Sequence, residues 1–223
     1  LILAKAGKRV LYLDIDVHHG DGVADAAYDR ADIFTISLHE NPKVLFPGTG
    51  FANEIGKGEG EGYCVNIPLP MGTYDLAYLN CFNMVVLPLA RAYDPDVFVL
   101  EFGADALAGD PLAHLQLTNN VYVDVIQHLL GFERPILMTG GGGYHVENTV
   151  RAWALGWSVL CGAHDGIDMN LGMGGVMMES TEWQGGLMDR ELVIPAPQRM
   201  AVASQINTTL ETIKQTVFSI HGL

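Results

Sequence analysis

Residues 11–23, LYLDIDVHHGDGV, constrain the fold more than any other stretch. Val10, Leu11, Tyr12, Leu13, Ile15 and Val17 form a nearly continuous apolar run of β-formers, which predicts a mostly buried strand over residues 9–17; Gly20, Asp21 and Gly22 predict a turn after it. Side chains alternate along an extended chain, so Asp14, Asp16 and His18 are expected on one face and Ile15, Val17 and His19 on the other. Neighbouring carboxylates in a buried strand repel each other and each is costly to desolvate, and a bound cation relieves both costs. Asp and Gly also serve as ordinary turn and capping residues at strand ends. Five polar groups between Asp14 and Asp21 are more than a turn needs.

Downstream the pattern alternates. A short helix is expected from Ala24 to Tyr28, a strand from Ile33 to Leu38, and a long Gly- and Pro-rich loop from Asn41 to Gly62, of a kind more often functional than idle. Within that loop Phe46 reads equally as a pocket wall or as an anchor to the core. A strand over residues 63–68, an apolar helix over 74–93 bent at Pro88, and a buried strand from Asp96 to Phe102 follow. Thr118 is expected to cap a helix running to about Leu130, Pro135 to Thr139 to form a strand, and Glu147 to Leu160 a helix whose Trp153 and Trp157 pack into the core. Residues 163–195 show no period, and Arg199 to about Val217 reads as an amphipathic helix. Alternating strands and helices imply a right-handedly wound parallel sheet with ligands at the carboxyl ends of its strands. Three such ends carry unusual residues: Asp14 to Asp21, Asp105, and Gly140 to Gly143 followed by Tyr144.

Composition narrows the class. A chain of 223 residues, 49% hydrophobic and 17% charged, can bury one large core, so residues 1–223 are read as a single α/β domain. A formal charge of −14 argues against nucleic acid as partner and is compatible with a cationic substrate. Cys64, Cys81 and Cys161, without CxxC spacing, fit free thiols in a reducing cytoplasm and argue against zinc held by cysteine. No apolar stretch has membrane-spanning length, and LILAKAGKRV lacks the core and cleavage site of a signal peptide. That opening segment reads as the end of a helix stopped at Gly7, so further sequence is expected upstream of Leu1.

Asp16, His18 and Asp105 supply a metal with three protein ligands and leave a position open, the arrangement of a catalytic site; the donor types suit Zn²⁺, with Fe²⁺ or Mn²⁺ also compatible. The motifs LDIDVHHGDGV, TISLHE, LFPGTG, FGADALAGDP and TGGGGYH stand in an order and spacing that resembles the zinc-dependent histone deacetylase superfamily, most closely its bacterial acetoin-utilisation or acetylpolyamine deacetylase-like members, over residues 9 to about 162. The resemblance implies a three-layer arginase/deacetylase-type fold with a mainly parallel β-sheet flanked by helices. It implies that Asp16, His18 and Asp105 bind the catalytic metal and that Tyr144 stabilises the oxyanion formed when activated water attacks an amide carbonyl. It further implies a structural K⁺ held by Asp14, Asp16, His18, Ser37 and Leu38, and an acyl-lysine tunnel lined by Phe46, Leu112, Gly142 and Gly143. The substrate would be acylated lysine or an acetylpolyamine.

Two departures from the family pattern stand out. The family carries a tandem histidine pair upstream of its first motif, oriented by the residues matching Asp14 and Asp21, whereas here no histidine precedes Val10; the chain is therefore expected to be N-terminally truncated, lacking early strands and the general base. Glu101 stands where the family usually has Gln. Two other readings remain: an arginase- or agmatinase-like ureohydrolase with two Mn²⁺ ions, which expects a denser acidic second motif than Asp105 with Asp110, and a catalytically inactive metal-binding fragment.

Overall fold

Alternation of β-branched apolar runs with helical stretches produces strands β1 (Val10–Asp14), β2 (Ile33–Glu40), β3 (Cys64–Leu69), β4 (Val97–Phe102) and β5 (Ile136–Gly140) in the computed structural model, which describes residues 1–163 and 187–223. Helices α1 (Ile2–Lys5), α2 (Asp21–Ala27), α3 (Asp75–Cys81), α4 (Leu87–Tyr93), α5 (Asn120–Leu130), α6 (Val146–Leu160) and α7 (Ala196–Thr216) connect and flank them. The five strands form one parallel sheet in the order β3-β2-β1-β4-β5. The chain thus winds outward from β1 to β3, then crosses back to place β4 on the other side of β1. The crevice beyond the carboxyl ends of β1 and β4 is the point where the winding reverses, where sheets of this kind bind ligands.

Strand alternation separates two apolar layers. Leu11, Leu13, Phe34, Ile36, Val65, Ile67, Phe98 and Leu100 face the main core with residues of α3 to α7, while Val10, Ile33 and Val97 face a smaller cluster with Ala4 of α1 and Ala27 of α2. Parallel register aligns Asn66, Ser37, Asp14, Glu101 and Thr139 in one polar row across all five strands, at or near the carboxyl ends of β1, β4 and β5. Asp14 follows Leu13 and Glu101 follows Leu100, so by alternation the row lies on the thinly covered side of the sheet. Among the described residues no helix is long and apolar enough to cross a membrane.

Several expected boundaries shift, each for a local reason. β1 ends at Asp14 rather than Val17 because Asp14 Oδ1 accepts the Asp16 N–H (3.1 Å) and Asp16 Oδ1 the His18 N–H (2.8 Å), turns that draw the backbone off the ladder. Residues 74–93 divide into α3 and α4 around a π-helical turn, Phe82–Val86, just before Pro88. Thr118 does not cap α5. Its N–H and hydroxyl both go to Asp75, and Asn119 occupies the cap position, tied by its side chain to Leu187 and Asp189. The last helix starts earlier than expected, at Ala196 behind Pro195. Trp153 and Trp157 are not core: Trp157 is 63% exposed, and α6 instead buries Thr149, Ala152, Leu155, Gly156 and Val159, a stripe offset from the indoles. Residues 164–186, part of the stretch expected to be irregular, lie outside the described residues.

Gly156 is where α6 approaches the sheet, since a Cβ there would stand 2.6 Å from Phe102 Cζ. Gly156→Ala is accordingly expected to cost about 1–3 kcal/mol through overpacking, against the usual helix-stabilising sign of Gly to Ala. Denaturant unfolding of the variant measures it.

Candidate metal centre

Asp16 and His18 leave β1 and Asp105 follows β4, so the winding reversal brings them together; one ligand atom from each lies within 4.8 Å of the others. His18 Nδ1 stands 3.1 Å from Asp16 Oδ1 and 2.9 Å from Asp105 Oδ2. Asp105 is fully buried, and its other oxygen accepts the Val17 N–H at 2.8 Å. Asp16 Oδ2 accepts the Gly142 N–H at 2.7 Å, which ties the glycine run to the cluster. That close approach needs glycine: a Cβ on Gly142 would stand 2.1 Å from Asp105 Oδ2, and one on Gly103 2.2 Å from Asp16 Oδ2.

The electrostatics call for a cation between these groups. Hydrogen bonds to Asp105 and Asp16 push His18 up to about 10 against the opposing effect of burial. Burial works to raise Asp16, but His18 and the Gly142 N–H outweigh it and hold the carboxyl below its ordinary value. Asp105 is raised, mainly by burial. Two carboxylates and one imidazole, oxygen and nitrogen donors without sulfur, fit a divalent metal in place of the proton.

Asp14 belongs to a layer beneath the cluster. Its Oδ2 is 3.1 Å from the Tyr12 hydroxyl, and burial and Asp16 push it up to about 7. Glu101, its register partner on β4, is pushed up to about 9 by burial, Asp14 and Asp16. Ser37 is its partner on β2. His39 lies 2.8 Å from both Ser37 Oγ and the Gly50 carbonyl; a carbonyl only accepts, so Nε2 carries the hydrogen and Nδ1 accepts from Ser37. Burial, then His19, depresses His39 to about 3, which keeps this neutral tautomer. The Ser37 hydroxyl hydrogen is therefore spent on His39, and its lone pairs remain available to a cation. Leu38 is buried beside it.

The other expected site residues fall at the same edge of the sheet but are less enclosed. Tyr144 is half exposed, its ring edge-on to His18 with centroids 6.4 Å apart. Its phenol is raised by burial and by Asp105, Asp16 and Asp110, so it keeps its proton and can donate it in a hydrogen bond. Phe46, 77% exposed, is not the loop's anchor, a role shared by Leu45, Ala52 and Ile55, and Leu112 is also exposed. Gly143 takes φ +146°, and a Cβ there would meet Thr149 Oγ1 at 2.5 Å. Asp21 is exposed at the start of α2, its Oδ1 accepting the Gly22 N–H. His19 packs at a tilt against His39, ring centroids 4.8 Å apart, and bonds Thr49, and His145 caps α6, both structural roles.

Sequence reasoning assigns no role to Tyr12, Glu40 or His114. Alternation from Asp14 would have found Tyr12. Asp110 enters the sequence reading only as part of the second acidic motif, whereas in the structure its two oxygens accept the Leu112 and Tyr144 N–H groups at 2.9 and 2.7 Å.

A parallel α/β sheet with acids and an imidazole gathered at its winding reversal defines a protein of the three-layer arginase/deacetylase type. The histone deacetylase domain profile matches residues 1–160, and the chain belongs to that family. It is similar to histone deacetylase 8 of Danio rerio, 41% identical over 65% of this chain and 38% of the relative. It is likewise similar to the acetoin utilization protein AcuC of Bacillus subtilis, 42% identical over 74% of this chain and 44% of the relative. Among solved structures it resembles an HDAC homolog from Aquifex aeolicus, with TM-score 0.78 and 32% identity, and an HDAC homolog complexed with SAHA, with TM-score 0.80 and 32% identity; each match covers 96% of this chain and 59% of the other. The chain thus spans less than half the length of these curated relatives.

Proposed function

We propose that residues 1–223 form a single catalytic domain, or the greater part of one, of a metal-dependent deacetylase that removes acetyl or related acyl groups from the amine of lysine or a polyamine. The observation that carries this reading is the convergence of Asp16, His18 and Asp105 at the winding reversal, with Tyr144 beside them. These three residues would hold the catalytic ion, Zn²⁺ as first choice and Fe²⁺ as the alternative. When bound, the ion supplies Lewis acidity toward the substrate carbonyl and toward water.

The chain's own residues do the rest. The Tyr144 hydroxyl donates a hydrogen bond to the carbonyl oxygen as it gains negative charge. Asp14 and Asp21 orient the histidine pair that takes the proton from water and returns it to the leaving amine, a pair the family places N-terminal to the first motif. Phe46, Leu112, Gly142 and Gly143 flank the methylene stem of the substrate. Asp14, Asp16, His18, Ser37 and Leu38 hold K⁺, consistent with the lone pairs left free on Ser37. The acidic surface suits a cationic amine, and the free thiols of Cys64, Cys81 and Cys161 suit a reducing cytoplasm.

Metal analysis, SAHA binding and acetyl-lysine turnover by the full-length protein test the reading. Tyr144→Phe is expected to lower kcat by about 10²–10³-fold with metal content unchanged, the loss typical of one oxyanion donor. Bound metal without turnover would favour the inactive metal-binding alternative. Release of urea from a guanidino substrate would favour the ureohydrolase.

A further inference from the structure

Asp110 is almost fully buried, and both its oxygens are committed to backbone: Oδ2 accepts from Tyr144 N–H at 2.7 Å, and Oδ1 from Leu112 N–H at 2.9 Å. A single carboxylate therefore joins the residue proposed to hold the oxyanion to one proposed to line the tunnel. Contacts fix the chain on both sides of Tyr144: Gly142 gives its N–H to Asp16 and its carbonyl accepts from Ala104 N–H, while His145 caps α6, its carbonyl accepting from the Thr149 N–H and hydroxyl. Gly143, in a backbone region open mainly to glycine, then separates that fixed point from Tyr144. Between that hinge and the helix cap, the Asp110 carboxylate is what holds the half-exposed tyrosine's own N–H.

The loop bearing Asp110 is itself held at its far end. Glu40, at the end of β2 and fully buried, takes the His114 N–H at 2.8 Å on Oε2 and lies 2.8 Å from His114 Nδ1 through Oε1. Two buried acids, one from the sheet and one from the loop, thus brace the segment from Asp110 to His114 between the sheet and Tyr144. Charge-assisted bonds of this kind are about twice as strong as neutral ones, enough to restrict where a tyrosine sits.

We infer that Asp110 is the positioning residue for Tyr144, setting the hydroxyl's distance from the Asp16, His18 and Asp105 cluster, and that Glu40 supports it through His114. The inference rests on the reading of Tyr144 as oxyanion donor. Asp110→Asn exchanges one accepting oxygen for an NH₂ that cannot accept, so one of the two clamps is lost. A misplacement of about 1 Å costs on the order of 10²-fold in rate, so kcat should fall by about 10–100-fold while KM and metal content hold near their original values. A loop that merely contributes stability would not produce that split.

The decisive measurement is a cycle in the metal-loaded, full-length protein: Asp110→Asn, Tyr144→Phe and the double variant. With the hydroxyl gone its position no longer matters, so Asp110→Asn is expected to cost little more in the Tyr144→Phe background. An equal fold-loss in both backgrounds would overturn the inference while leaving the Tyr144 reading intact. If Tyr144→Phe alone leaves kcat unchanged, the oxyanion reading fails and the brace with it. Should Asp110→Asn not fold, Glu40→Gln carries the same cycle, with a smaller fall in kcat that again vanishes in Tyr144→Phe, and a fall that persists there overturns the inference.

Discussion

On the proposed reading of the site, Asp105→Ala is expected to abolish metal retention, and turnover with it. Asp105 is one of the three residues proposed to hold the ion, is fully buried, and also accepts the Val17 N–H and bonds the His18 imidazole. Residues that only support a ligand cost about 10–100-fold in affinity when removed, so loss of a ligand should exceed that range. The alanine also strands the Val17 N–H, at about 1–3 kcal/mol for an unsatisfied buried donor. Asp105→Asn separates the two effects. The amide oxygen can still accept from Val17, so the fold should persist while metal affinity drops. Chelator-competition titration reads the affinity and thermal unfolding reads the fold. Wild-type retention by both variants would remove Asp105 from the site.

What the residues disclosed and what they withheld follow from the range of the forces involved. The strand at residues 10–14 and the convergence of Asp16, His18 and Asp105 were legible because alternation and strand-end position are local, and because parallel winding places strand ends together. The polar row from Asn66 to Thr139 was not legible, since it exists only once register is fixed across five strands. Trp153 and Trp157 misled for a related reason. An i, i+4 aromatic pair marks one face of a helix but does not say which face the sheet takes, and here Gly156 against Phe102 decided it. Asp110 and Glu40 escaped because their partners are backbone N–H groups, which a residue pattern does not display.

The departure at Glu101 becomes intelligible through its neighbours. Its carboxyl is half-buried beside Asp14 and Asp16 and, with no cation bound, pushed up to about 9, so near neutral pH it keeps its proton in the ion-free site and presents a neutral, hydrogen-donating group, as the family's glutamine would. The consequence for stability has a definite sign. An acid whose folded value lies above its unfolded one binds its proton more tightly in the native state, so its contribution is complete below about 4.5 and is lost as pH rises toward about 9. Asp14, pushed up to about 7, adds a loss of the same sign at lower pH.

Metal-free and potassium-free protein should therefore lose thermal stability steadily across that window, and Glu101→Gln should flatten the loss while preserving shape. Replacing buried ionic groups by uncharged ones of similar volume is often neutral or stabilising, by about 1–4 kcal/mol where it stabilises. At about 2–4 °C per kcal/mol for a chain of this size, the variant should gain on the order of 2–16 °C in Tm at the alkaline end and little at the acid end. Scanning unfolding at several pH values, with K⁺ and divalent ions removed and then restored, gives the comparison. A Gln variant less stable than the parent at high pH, or one that no longer responds to restored K⁺, would mean that Glu101 works as an anion holding a cation. The glutamate would then be a change of function at this site and not a protonated stand-in for the amide.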